Sequence, residues 1–287
     1  MTNMIGNERT VGRVVQTPRP EPGFIGEGHT AVPVVEPGDF SRSDPFIVLM
    51  DDRLDLAPGG HAGGAHPHAG FEIATWLVEG ELRDRDEGVL HAGDVMWTTA
   101  GSGVIHNEDV EPFGRTRILQ LWMTLPSVDR WSTPRFVHMA RDAAPVRTEP
   151  GVSARVYSGK SGSVQAARHT YLPLTMVDIQ MEAHRELVQE VPASFHGFVY
   201  LLDGDVTVGG KLIASGRVGW LDEAKGPGET LLRFSTGAAA ARVVLYAGER
   251  QGVPIVTHGP FVGETREDLM RVSQAYLRGE LPRVSEL

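Results

Sequence analysis

Apolar runs of strand length, separated by glycine turns, dominate this chain from residue 46 to residue 249. DPFIVLMDD (44–52) holds a short buried run at 46–50. FEIATWLVE (71–79) is rich in β-branched and aromatic residues, which suit a pleated, half-buried surface. Glu79-Gly80 predicts a turn, and ELRDRD (81–86) a return strand. In GVLHAGDVMWTTAGSGVIHNEDV (88–110) a Gly93-Asp94 turn, a strand, a glycine turn at 101–103 and another strand follow in order. TRILQLWMTLP (116–126) reads as a further strand. LDLAPGGHAGGA (54–65) reads as a loop, because four glycines and a proline fall within it.

A second series of the same rhythm begins near residue 170, with MVDIQMEAH (176–184), FVYLLDGDVTVGGKLIASGRVGWLDE (198–223) and ARVVLYAGE (241–249). The two series overlay. WLVEGEL (76–82) matches YLLDGDV (200–206), and LHAGDVMW (90–97) matches IASGRVGW (213–220), at offsets of 124 and 123. A near-constant offset marks an internal duplication. The pattern predicts two related β-barrels in tandem, with boundaries at 1–135 and 136–287. The last stretch differs: GETREDLMRVSQAYLRGEL (263–281) predicts an amphipathic helix. Thr265 would cap it, with Glu267 and Asp268 in its first turn. Leu269, Val272, Tyr276 and, offset by one, Leu277 form its apolar stripe, and Gly279 its C-terminal stop.

Composition narrows the function. The chain has 34 glycines and 19 prolines, which fits short strands and tight turns, and 41% hydrophobic residues, enough for a core. Its 27 Lys and Arg against 37 Asp and Glu give a formal net charge of −10. That argues against direct contact with nucleic acid, which needs a basic footprint, and against an anionic membrane surface. No apolar run is long enough for a transmembrane helix and the first residues lack a signal-peptide pattern, so a cytoplasmic protein is expected. A monomer is expected as well. Cysteine is absent, which excludes disulfides, thiol nucleophiles and iron–sulfur clusters. Any metal must be held by His, Asp or Glu, and there are 11 histidines.

Two dyads stand out. His66-Pro67-His68 places two imidazoles at i and i+2, on one face of a strand. His106-Asn107-Glu108 repeats the spacing with a carboxylate. Side by side, the strands would aim His66, His68, His106 and Glu108 at one point. Such a set suits a six-coordinate divalent metal with positions left for substrate or dioxygen. Iron(II) heads the possibilities, with nickel, manganese, copper and zinc open. Glu72 is the rival fourth ligand, read as orienting a ligand imidazole from behind. His61 reads as a solvated loop residue. Trp76, Trp97 and Trp122 read as core, with one of them lining a pocket for a flat substrate as the sharper alternative. In the second barrel the offset maps His66, His68 and His106 onto Glu190, Pro192 and Glu229, so no second metal site is expected. His184 and His196 read as structural or exposed.

The spacings approximate the two cupin motifs, G-x5-H-x-H-x3-E-x6-G and G-x5-P-x-G-x2-H, through Gly60, Glu72, Gly80, Gly93, Gly101 and Gly103. They depart by one extra residue before Gly80, two after Gly93, and Gly101 in place of proline. HPHAGFEIATWLVEGEL, RDEGVLHAGDVMWTTAGSGVIHNE, GPFVGET and YLRGEL resemble the pirins, a branch of the bicupins, over essentially the whole chain. The departures are Ala69 for an arginine, Asn107 for a serine, and Gly263-Glu264-Thr265 for Met-Asn-Thr.

The resemblance implies an all-β fold of two tandem cupin (double-stranded β-helix or jelly-roll) barrels with a C-terminal helix. It implies metal ligands at His66, His68, His106 and Glu108. It also implies an iron-dependent dioxygenase that opens the ring of quercetin-type flavonols with O2, releasing carbon monoxide. There Glu108 would also accept the substrate's hydroxyl proton. The resemblance leaves a second function open: a redox-sensitive iron-binding regulator acting through a protein partner, such as a metabolic enzyme or transcription factor. A cupin isomerase would need a cation-lined pocket, of which the site region shows little.

Overall fold

The computed structural model describes residues 8–287 apart from Ile25, Pro37, 57–62, 85–87, 108–109, Phe113, Lys225 and the side chain of Pro112. Strands make up most of it, and the described α-helices are Phe40–Ser43 and Arg266–Leu277. The chain forms two compact units that differ from the expected 1–135 and 136–287 division. One comprises Pro18–Ala143, Thr170–Leu172 and Gln251–Leu287; the other comprises Met1–Thr17, Ala144–His169 and Pro173–Arg250. Each terminus therefore joins the unit built from the opposite half of the sequence. Pairing explains it at the N-terminus. Val11–Gln16 runs antiparallel to Arg217–Leu221, and Glu8–Arg9 runs parallel to Glu229–Thr236.

In the unit containing the histidine dyads, seven strands form one sheet in the order Arg135–Met139, Val95–Thr99, Phe71–Glu79, Thr116–Thr124, Phe46–Leu54, His29–Val35 and Glu21–Pro22. Three smaller sheets belong to it. One pairs Ala65–His68 with Val104–Asn107, a second joins Val110–Pro112, Glu81–Asp84 and Gly88–His91, and a third pairs Val256–His258 with Phe261–Gly263. Alternation along the strands sorts the side chains. Thr75 and Leu77 face a cavity shared with Leu82, Leu90 and Met96, while Trp76 and Trp97 lie buried on the other face.

The second unit has a seven-stranded and a five-stranded sheet. Its interior is filled by one aliphatic cluster that includes Leu187, Val191, Val199, Leu201, Val208, Leu232 and Leu245. Leu187, Gln189 and Val191 form the buried row of Glu186–Pro192, so Glu190 and Pro192 belong to the opposite face. This barrel is packed with hydrocarbon where the first keeps a cavity.

The helix forms as predicted, Arg266–Leu277, with Thr265 at its N-cap. The Thr265 hydroxyl accepts from Asp268 N–H and the Asp268 carboxylate accepts from Thr265 N–H, which satisfies two otherwise orphan donors. Gly279 follows with φ of +70°. The apolar stripe is shorter than expected: Leu269 and Val272 are buried, while Leu277 is exposed. The two buried residues pack on Ala69 and Phe261, so the helix belongs to the histidine-bearing unit and not to the second barrel.

One turn in this unit is held by a carboxylate. Asp94 accepts from His91 N–H (3.1 Å), Arg141 N–H (2.8 Å) and His138 Nε2–H (3.0 Å). Burial alone would raise its pKa. The three donors outweigh burial and hold it below the ordinary 3.8. A depressed carboxyl contributes stability that is present above its unfolded pKa and lost as pH falls through its folded one. Asp94→Asn is therefore expected to cost about 1–2 kcal/mol at neutral pH. In urea titrations the gap to the parent protein should narrow below about pH 4; a gap independent of pH would contradict this account.

Candidate metal centre

Register brings the predicted histidines together. Val104–Asn107 runs antiparallel to Ala65–His68, with His106 opposite His66 and Val104 opposite His68. His66 and His68 share a face because they are two residues apart, and His106 joins them because directly paired residues point the same way. Ring centroids lie 4.7 Å apart for His66 and His68, 5.2 Å for His66 and His106, and 5.7 Å for His68 and His106. His68 and His106 are buried, and His66 is partly open. Among the described residues, no three His, Asp or Glu groups stand in a coordinating arrangement as they are. The fourth predicted ligand, Glu108, lies outside the described residues, as does His61.

The surroundings orient the rings. His66 Nδ1 lies 2.9 Å from Gly64 O. A carbonyl can only accept, so Nδ1 carries the hydrogen and Nε2 of the neutral ring carries the lone pair. His68 is packed edge-on against Phe71 (5.4 Å) and Trp122 (5.2 Å). Of the three tryptophans singled out by sequence, Trp122 is the one beside the histidines. Asn107 alternates to the face away from His106.

The C-terminal segment braces both ligand-bearing strands. Val262 N–H donates to Ala69 O (2.9 Å), and Ile105 N–H donates to Pro282 O (2.7 Å). Arg130, almost wholly buried, donates to Gly70 O and Leu125 O and pairs with Glu264. Sequence reading could not see this bracing, because its residues lie more than a hundred positions apart in the chain.

Glu72 does not behave as expected. It is buried, but its carboxylate accepts from Thr99 Oγ1–H (2.9 Å), Tyr171 N–H (2.9 Å) and Leu172 N–H (3.1 Å). It shares a strand face with Ala74 and Trp76, opposite to Ile73, Thr75 and Leu77, so alternation turns it from the histidines. Burial pushes its carboxyl above the ordinary 4.5, against the pull of those donors. It anchors the segment Thr170–Leu172 and does not orient an imidazole.

His106 also lines the cavity, which has a volume of about 40 Å³. Most of the wall is apolar: Leu54, Leu77, Leu82, Leu90, Met96 and Val110. Asp52, Asp84, Thr75 and Gln120 are its polar members, and Phe24 stands at the edge. Sequence reading missed Asp52 and Phe24. Asp52 ends the run DPFIVLMDD, where an inward carboxylate on an apolar strand was a usable signal; Phe24 offered none. In the second unit His196 is stacked on Trp220 and His184 is exposed, in line with structural or surface roles. Glu229 pairs with Lys160.

Family models match in two segments, "Pirin" over residues 34–123 and "Pirin C-terminal cupin domain" over residues 176–282. A Pseudomonas aeruginosa protein provisionally named a quercetin 2,3-dioxygenase is 32% identical over 277 residues, covering 91% of this chain and 94% of its own. A quercetin 2,3-dioxygenase from Acinetobacter baumannii superposes with a TM-score of 0.82 at 24% identity, covering 95% of this chain and 98% of that one. The bacterial pirin YhhW of Escherichia coli, solved in complex with nickel(II), superposes with a TM-score of 0.61 at 16% identity, covering 83% and 99%.

Proposed function

Because this chain belongs to the pirin family of bicupin proteins, we propose that it is a metal-dependent dioxygenase of quercetin-type flavonols. The observation that carries the reading is the convergence of His66, His68 and His106 on one face beside an apolar cavity. The names of the Pseudomonas and Acinetobacter proteins support the flavonol substrate.

The donor set fits a divalent transition metal. Three imidazoles are borderline donors, the Gly64 carbonyl holds His66 through Nδ1, and the chain has no thiolate to draw in a softer ion. His66, His68 and His106 would hold the metal, with Glu108 as fourth ligand. Iron(II) is our first assignment. The nickel(II) complex of the E. coli pirin keeps nickel in view, and manganese, copper and zinc suit the same donors. When bound, the metal supplies a Lewis acid and a docking point for the substrate's hydroxyl oxygen and for dioxygen.

The protein's residues do the rest. Glu108 takes the proton from the flavonol hydroxyl. Leu77, Leu82, Leu90 and Met96 exclude water from the reacting ring. Phe71 and Trp122 hold the His68 ring in place. The reaction adds both atoms of O2, breaks two bonds of the heterocycle and expels one of its carbons as carbon monoxide.

Iron-loaded protein given quercetin in air should bleach the flavonol absorbance and release one carbon monoxide per flavonol, and His68→Ala should do neither. Intact flavonol after incubation with fully loaded protein would overturn the proposal.

A further inference from the structure

The hairpin before the C-terminal helix leaves one strand edge open. Val256–His258 pairs with Phe261–Gly263, with His258 opposite Phe261, Thr257 opposite Val262 and Val256 opposite Gly263. Hydrogen-bonded and non-hydrogen-bonded pairs alternate along such a ladder. Pro260 in the connecting turn has no N–H to give, so the pair that closes the turn, His258 and Phe261, is the hydrogen-bonded one. Thr257 and Val262 then form the non-hydrogen-bonded pair, and their N–H and C=O groups point outward on opposite sides of the hairpin. Val262 uses its side, where its N–H donates to Ala69 O. Thr257 is exposed, and no backbone group among the described residues meets its N–H or C=O.

The helix Arg266–Leu277 runs back along this hairpin. It starts just after Gly263, and Tyr276 reaches the ring of Phe261. Between the open edge and the helix lies a groove of about 620 Å³, lined by the whole of Val256–His258 on one side and by Arg266, Leu269, Met270 and Ser273 on the other. Leu269 and the 54%-exposed Met270 make its middle apolar. Arg266 stands toward the Val256 end and His258 at the other end. Neither has a hydrogen-bond or ion-pair partner among the described residues, and no Asp or Glu lines the groove. In a chain of net charge −10, this is a local reversal of sign.

That geometry sets what fits. A strand edge beside a helix accepts an added β-strand, held by main-chain bonds and selected by its alternate side chains. The helix from Arg266 to Gln274 measures about 12 Å, the span of about four residues of extended chain. Val256 and His258 face the helix and Thr257 faces away, so a residue opposite Thr257 also faces away and its neighbours face in. Two carboxylates with three residues between them would reach the two ends, and an apolar side chain midway would lie on Leu269 and Met270.

We infer that this groove binds an extended acidic segment of a partner protein by β-strand addition, in the pattern acidic-x-apolar-x-acidic. Thr257 supplies the main-chain bonds, Arg266 and His258 meet the carboxylates, and Leu269 and Met270 take the apolar side chain. The inference stands apart from the dioxygenase reading, because none of these residues is a predicted metal ligand or lines the cavity beside the histidines.

The test is fluorescence anisotropy of a labelled Glu-Thr-Leu-Thr-Glu peptide with the full-length protein, with the thermal midpoint recorded for every variant. The peptide should bind saturably below about 1 mM, and its charge-inverted form Lys-Thr-Leu-Thr-Lys at least about tenfold more weakly. Thr257→Pro removes the outward N–H, which takes no part in the hairpin ladder, and should weaken the acidic peptide by at least about fivefold. Arg266→Glu, at a first-turn position where an acid suits the helix, should narrow the preference between the two peptides to about threefold or less. If Thr257→Pro lowers the thermal midpoint, Arg266→Glu and the charge-inverted peptide decide the matter. Absence of saturable binding, equal binding of the two peptides, or an Arg266→Glu protein that matches wild type would each overturn the inference. So would a dimer, seen by sedimentation, that Arg266→Glu dissolves, because the edge would then belong to a second copy of this chain.

Discussion

His106→Ala is expected to abolish metal retention, lowering affinity by at least about 100-fold, with turnover falling in step. His106 is the one imidazole contributed by the second ligand-bearing strand. It pairs directly with His66, is 4% exposed, and lines the cavity. Without it, His66 and His68 remain as two donors on a single strand, too few to define a coordination sphere without Glu108. The backbone at this point is held by the Ile105–Pro282 hydrogen bond and by register, neither of which uses the imidazole, so the fold should persist. Metal per chain, measured after dialysis, is the direct readout. His91→Ala is the control, because that imidazole is exposed and paired with Glu81. An alanine variant that keeps a full complement of metal would remove His106 from the site.

Gly70→Ala should be the most destabilising of the single changes considered. Gly70 lies two residues beyond His68, with φ of +84°, in the region that disfavours a side chain. An added Cβ would lie 1.8 Å from Val262 O, so the backbone must move. Moving it disturbs the bonds of Gly70 N–H to Gly101 O (2.8 Å), Arg130 Nη1–H to Gly70 O (3.1 Å) and Val262 N–H to Ala69 O (2.9 Å). The conformational cost is about 1–2 kcal/mol and each weakened bond adds about 1 kcal/mol, so a total near 3–5 kcal/mol is expected. Urea unfolding should show it, together with slower metal uptake, because the same shift drags the His68 strand. Gly38→Ala, with open space around its Cβ and no positive φ, should stay within about 0.5 kcal/mol of the parent. A near-neutral Gly70→Ala would mean that the C-terminal segment does not brace the ligand strand.

Much of this protein was determined locally. Alternation and glycine turns set strand after strand, because the pleat repeats every two residues and glycine alone accepts the turn conformations cheaply. The i, i+2 dyad placed His66 and His68 on one face before any pairing was known. Thr265 and Asp268 announced the helix start because a capping box is complete within four residues. The duplication, and the absence of histidines at the matching places of its second copy, were written in the offset between the two series.

Tertiary structure decided what depends on distant pairing. It set His106 against His66, since register is fixed by both strands together and by the face they bury. It joined each chain terminus to the unit built from the other half, because strand edges pair with whatever edge is complementary in space. It turned Glu72 onto the amides of Tyr171 and Leu172, some hundred residues away, where sequence spacing had aimed it at a histidine. It also brought the buried His29 imidazole to the carboxylate of Asp52, which lines the cavity, residues with no common motif. The sequence alone determined the strands and the placing of three histidines on them; only the folded chain could decide what surrounds them, because enclosure is a property of sheets and not of strands.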